Sequence, residues 1–95
     1  MNYRLTAPAK EDLLSIWEYT TDRWNEQQAD QYIDTLDTRF VWLTNTSSQW
    51  NPRPEIGDGI YTFPEQSHVI VFWELQSDIE ILRVLHRRMD LQRHF

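Results

Sequence analysis

The sequence predicts an α+β fold in two layers: an N-terminal strand, an antiparallel helix hairpin, then a three-stranded antiparallel meander. Three observations carry this reading. Residues 8–45 hold two successive stretches with apolar residues at helical spacing and almost nothing between them. Residues 59–86 hold three apolar runs, GIYTFP, HVIVFWEL and IEILRVLH, parted by the polar turns EQS and QSD. The chain has 95 residues, enough for one core between two layers, so residues 1–95 are expected to form a single domain.

The elements follow in order. Residues 2–6, NYRLT, alternate weakly and read as a short first strand. Ala7-Pro8 opens a helix, because proline is favoured at the first helical position, and Glu11 and Asp12 suit a helix N-terminus. Leu13, Ile16, Trp17, Thr20 and Trp24 share one face of this helix, which is expected to run from Pro8 to Arg23. Asn25 reads as the next N-cap, with Gln28 completing a capping box. The second helix carries Ala29, Tyr32, Ile33, Leu36, Phe40 and Leu43 on one stripe, sets Glu26, Asp30, Asp34 and Asp37 on the solvated side, and ends near Asn45. The short gap forces the two helices into an antiparallel hairpin.

Residues 45–59 form the one long irregular stretch, with two of the four prolines and both glycines. In the meander, Val69 to Trp73 is apolar on both faces and is expected to be central and covered on both sides. Pro64 is expected to close the preceding strand, since it cannot donate to a ladder. In the last strand Ile79, Ile81 and Leu85 alternate on one face, with Glu80, Leu82 and Val84 on the other. Arg83 shares the face of the first three and is expected to be held by a carboxylate or a backbone carbonyl, because an unpaired buried cation is very costly.

Charge separates the two halves. The formal net charge is −6. Residues 9–37 hold eight acids against Lys10 and Arg23, whereas residues 79–95 hold Arg83, Arg87, Arg88 and Arg93 against Glu80 and Asp90. An acidic chain repels phosphate backbones, so direct nucleic-acid binding has no electrostatic support. The small basic tail suits a protein partner, and the excess of arginine over lysine suits bidentate contact with carboxylates. With no cysteine, no membrane-length apolar run and no signal peptide, the chain reads as soluble and cytoplasmic.

The catalytic motifs are not persuasive. No serine sits in a nucleophile elbow, and His68 and His86 are the plausible bases. Gly57 and Gly59 do not make a phosphate-cradling loop. His86, Asp90 and His94 would line one face of a helix, but three interleaved arginines oppose a cation, so no metal or other cofactor is expected. The chain is not expected to be an enzyme. Five tryptophans are more than the core needs; Trp42 lies off the main stripe and Trp50 in the irregular loop, and exposed tryptophan often anchors protein interfaces.

The stretch IEILRVLHRRMD closely resembles the C-terminal signature of the ParE toxins, in the RelE/ParE superfamily of toxin–antitoxin modules. HVIVFWEL resembles that family's penultimate strand, RPEIGDGIYTFP its first meander strand, and YRLTAPAKEDLLSIWEYT its first strand and helix. The likeness spans nearly the whole chain. It implies a toxin that inhibits DNA gyrase by protein–protein binding and is neutralised by a cognate ParD-like antitoxin. The alternative is a RelE-like ribosome-dependent mRNA endoribonuclease, which the acidic charge disfavours. On this reading the exit of the last strand, Arg83, His86, Arg87, Arg88 and Asp90, meets the target. Trp17, Tyr61, Phe63 and Trp73 are the expected antitoxin anchors. The chain departs from the family in two places: an arginine often follows the Gly-Leu/Ile of the first meander strand, where this chain reads Gly59-Ile60-Tyr61, and the loop before it usually carries a Gly-Arg pair, which SSQWNPRPEIGDG lacks, with Arg53 as the stand-in.

Overall fold

A computed structural model describes residues 1–94. The elements run β1 (Tyr3–Leu5), α1 (Ala7–Arg23), α2 (Glu26–Leu43), a short 3-10 turn (Ser47–Gln49), β2 (Asn51–Pro52), β3 (Tyr61–Glu65), β4 (His68–Leu75) and β5 (Asp78–His86). Five strands form one sheet in the order β1-β5-β4-β3-β2. β1 runs parallel to β5, and the other pairings are antiparallel. The predicted strand, hairpin and meander are all present. The two-residue β2 extends the sheet beyond the expected strands.

Local chemistry sets the helix ends. Thr6 caps α1 by accepting the Ala9 N–H, with Pro8 in the first turn. Asn25 caps α2 by accepting the Gln28 N–H at 2.8 Å. The hairpin lies on one face of the sheet. Ala9, Ile16, Leu36, Phe40 and Leu43 pack against Ile70, Phe72, Ile79, Ile81 and Val84. Fully burying one large apolar side chain stabilises by about 1.5–3 kcal/mol, and Phe40 and Phe72 are the largest here. β4 is the middle strand, and Ile70, Val71 and Phe72 are wholly buried, as its two apolar faces predict.

Several expectations need correction. β5 contains a bulge: Val71 pairs with Arg83 but Phe72 pairs with Ile81, so Leu82 is the extra residue. The alternation inverts there. Val84 joins Ile79 and Ile81 under the helices, while Leu85 turns to the opposite face with Leu82, Val71 and Ile60. Pro64 lies inside β3 opposite Val69 rather than closing it. That is tolerated because β2 reaches only Tyr61 and Thr62, and the edge beside Pro64 has no ladder partner. Trp24 falls past the end of α1 and is 66% exposed, whereas Trp42 and Trp50 are half-buried. Trp42 packs on Phe63 with ring centroids 5.1 Å apart. Trp50 packs on Tyr61 and Phe72 and donates its indole N–H to the Leu43 carbonyl. The acids of α2 are not merely solvated: Asp30 accepts the Trp17 indole N–H at 2.9 Å, and Asp37 accepts the Tyr3 hydroxyl. Burial and this Asp37 bond push the Tyr3 phenol up to about 12.

Among the described residues, the outer face of the sheet has no helical layer. A small cluster of Ile60, Val71 and Leu85, with Ile56, Leu82 and Leu91, is covered instead by the irregular loop and the chain after β5.

Candidate functional site: the end of the last strand

The predicted exit cluster divides into a held member, Arg83, a half-buried one, His86, and exposed ones. Arg83 is held. Its Nε donates to Asp12 Oδ2 and its Nη2 to Asp12 Oδ1, both at 2.8 Å, and its Nη1 donates to the His94 carbonyl at 2.9 Å. A carboxylate and a carbonyl therefore satisfy this cation, as its place in a strand requires. Asp12 lies beyond the first turn of α1. β1 ends at Leu5, and Thr6 makes the last contacts along β5, its N–H to Ile81 O and its hydroxyl to Leu82 O. One turn into α1, Asp12 Oδ2 then accepts the Val84 N–H at 2.9 Å, occupying the β5 edge where β1 has stopped.

His86 faces the helix side. Its ring lies edge-on to His68 with centroids 5.5 Å apart, and its Nδ1 accepts the Arg88 N–H at 3.1 Å. His68 Nδ1 and the Tyr32 hydroxyl share a hydrogen bond of 2.6 Å. Burial, with His86 alongside, pushes the His68 imidazole down to about 4, so it is neutral near pH 7. Burial also raises the Tyr32 phenol. These groups sit at the end of a cleft of about 600 Å³ between the hairpin and the β3–β4 turn. Tyr19 and Trp24, 67% and 66% exposed, line its mouth.

Arg87 and Arg88 are exposed. The Arg87 backbone N–H donates to the Ser67 carbonyl, and its Nη1 donates to the Gln66 carbonyl at 3.1 Å. Residues 87–94 run as turns, so the helix that would align His86, Asp90 and His94 does not form. Asp90 shapes that turn instead: its Oδ1 accepts the Gln92 N–H, and its carbonyl accepts the N–H groups of Arg93 and His94. Among the described residues, no three His, Cys, Asp or Glu side chains converge as a metal site.

The four aromatic anchors do not share a surface. Tyr61 and Phe63 pack under the hairpin, and Trp17 is half-buried, its indole N–H reaching from α1 to Asp30 of α2. Trp73 stands on the outer face, 36% exposed, donating its indole N–H to Glu80. Sequence reasoning missed Asp12 as the partner of Arg83, and Tyr19 as an exposed aromatic beside Trp24. Their signal was available only in part: Tyr19 lies off the apolar stripe of α1.

A helix hairpin seated on one face of a five-stranded sheet, with a short basic tail leaving the last strand, defines a small α+β module. Residues 3–91 match the family model described as "ParE toxin of type II toxin-antitoxin system, parDE". The chain belongs to that family. It is 34% identical over 92 residues to "Toxin ParE1" of Caulobacter vibrioides, covering 97% of this chain and 95% of that one. It is 33% identical over 94 residues to "Toxin ParE1" of Mycobacterium tuberculosis, with the same coverage. A solved structure described as "Chromosomal ParDE TA system from P. aeruginosa" shares the fold, with a TM-score of 0.78 over 90% of this chain and 95% of that one, at 20% identity. No helix among the described residues is long and apolar enough to cross a membrane.

Proposed function

We propose that this family member acts in the cytoplasm by binding DNA gyrase rather than by catalysis, and that a ParD-like antitoxin encoded beside it neutralises it. The observation that carries the target reading is the exposed Arg87–Arg88 pair, projecting from the end of β5 in a chain of net charge −6. Arginine is a preferred anchor at protein interfaces, where its planar fork reads carboxylates. The same acidic body opposes a long phosphate backbone, which weighs against mRNA as the substrate.

The antitoxin reading rests on different residues. Leu14, Tyr19 and Trp24 are large apolar side chains left exposed on and just after α1, two of them at the mouth of the cleft. A partly disordered antitoxin segment that folds onto this side of the hairpin would bury them, gaining affinity from apolar contact against the cost of ordering.

Purified protein with purified gyrase, with and without the neighbouring gene product, tests both parts. The expected result is loss of supercoiling, restored by the antitoxin, with Trp fluorescence shifting as Trp24 is buried. Normal supercoiling together with ribosome-dependent mRNA cleavage would overturn the target and favour the nuclease alternative.

A further inference from the structure

The chain after β5 carries three of the eight arginines, Arg87, Arg88 and Arg93. Residues 87–94 are tied to the rest of the fold at four points. The Arg87 N–H donates to the Ser67 carbonyl at 2.9 Å. Leu91 packs into the outer cluster beside Leu82 and Leu85. The Gln92 side-chain amide donates to the Glu55 carbonyl at 2.9 Å. Arg83 Nη1 donates to the His94 carbonyl at 2.9 Å.

The last tie depends on another residue. A guanidinium fixed along its Nε–Nη2 edge by a bidentate carboxylate has its planar Nη1 group held in one place and orientation. Asp12 supplies that carboxylate, and Asp12 is itself fixed by the Val84 N–H. A residue of the first helix, 71 positions from Arg83 in sequence, therefore sets the direction of the donor that holds the tail.

We propose that Asp12 is a positioning residue for the tail: through Arg83 it keeps residues 89–94 folded back on the outer face, so that Arg93 and the adjoining Arg87–Arg88 pair meet a partner as an ordered surface. Order present before binding removes the cost of ordering from the binding step. If the fork only capped the sheet edge, loosening it would not change what the tail does.

Two variants separate these roles. Asp12→Asn keeps an oxygen for the Val84 N–H but loses the charged fork. Arg83→Lys keeps a cation for Asp12, but a point-like ammonium cannot reproduce the planar fork that also reaches His94. Both are examined by thermal melting, by amide hydrogen exchange of residues 89–94, and by growth arrest on induction. The expected result is a folded protein whose tail amides exchange about tenfold faster or more, with growth arrest clearly weakened. Unchanged tail exchange in both variants would overturn the proposal, as would faster exchange with full growth arrest. If Asp12→Asn fails to fold, Arg83→Lys decides both arms. Only the growth-arrest arm rests on the toxin reading above. A wild-type chain that does not arrest growth would refute that reading, while exchange would still decide whether Asp12 holds the tail.

Discussion

The two faces of β5 are held in different ways. On the inner face, Ile79, Ile81 and Val84 meet a continuous layer of helix side chains. On the outer face, Leu82 and Leu85 belong to a cluster with three buried members among the described residues, closed by the irregular loop and the residues after β5. Apolar burial holds the first; a few directed hydrogen bonds (Arg83 to His94, Gln92 to Glu55) add to the second. The bulge at Leu82 lets one strand serve both. The arrangement puts most of the apolar burial on the helix side and leaves Arg87 and Arg88 exposed at the end of β5.

The largest expected effect breaks the inner face. Phe72 is wholly buried and touches Trp50 and Tyr61. Phe72→Ala should cost about 3–5 kcal/mol, seen as a large fall in the urea midpoint. Leu91 is only half-buried on the outer face, and Leu91→Ala should cost less than about 1.5 kcal/mol, because a partly exposed site loses less burial and leaves no closed cavity. Equal losses at the two sites would erase the distinction between the faces.

The next effect is one of pH. His68 titrates near 4 in the folded chain and near its ordinary 6.5 when unfolded. Between those values the unfolded chain binds more protons, so this contribution is fully present above about pH 6.5, falls as the pH drops towards 4, and levels off below it. The site is partly open to solvent, which reduces the loss to about 1–2 kcal/mol. Urea midpoints measured from pH 7 to 4 should show this fall in wild type and a flatter profile in His68→Gln. Parallel profiles would remove His68 as the source.

Much of this architecture could be read from local signals. Helical spacing, Asn25 and Pro8 located both helices, and two-sided apolarity located the central strand. The site was read less well, because its determinants are non-local. Nothing near Asp12 indicates that its partner is Arg83, and the acid looked like a helix N-terminal residue. The bulge at Leu82 leaves no mark in an apolar run, so strict alternation placed Leu85 and Val84 on the wrong faces. Tyr61 and Phe63 alternate as strand residues should, but alternation alone does not say which face the hairpin covers. The tail fared the same way: spacing four apart suggested a helix through His86, Asp90 and His94, whereas backbone turns around Asp90 decide its course.

The smallest expected change in stability carries the most direct test of the account. Arg87 and Arg88 are exposed, and among the described residues their side chains make one hydrogen bond, from Arg87 Nη1 to the Gln66 carbonyl. Exposed positions of this kind usually contribute within about half a kcal/mol each. The double variant Arg87→Ala/Arg88→Ala, followed by thermal melting and by growth arrest on induction, therefore separates fold from target. The prediction is a protein that melts within a few degrees of wild type and no longer arrests growth. A double variant that melts like wild type and remains fully toxic would contradict the claim that the end of β5 is the surface that meets the target.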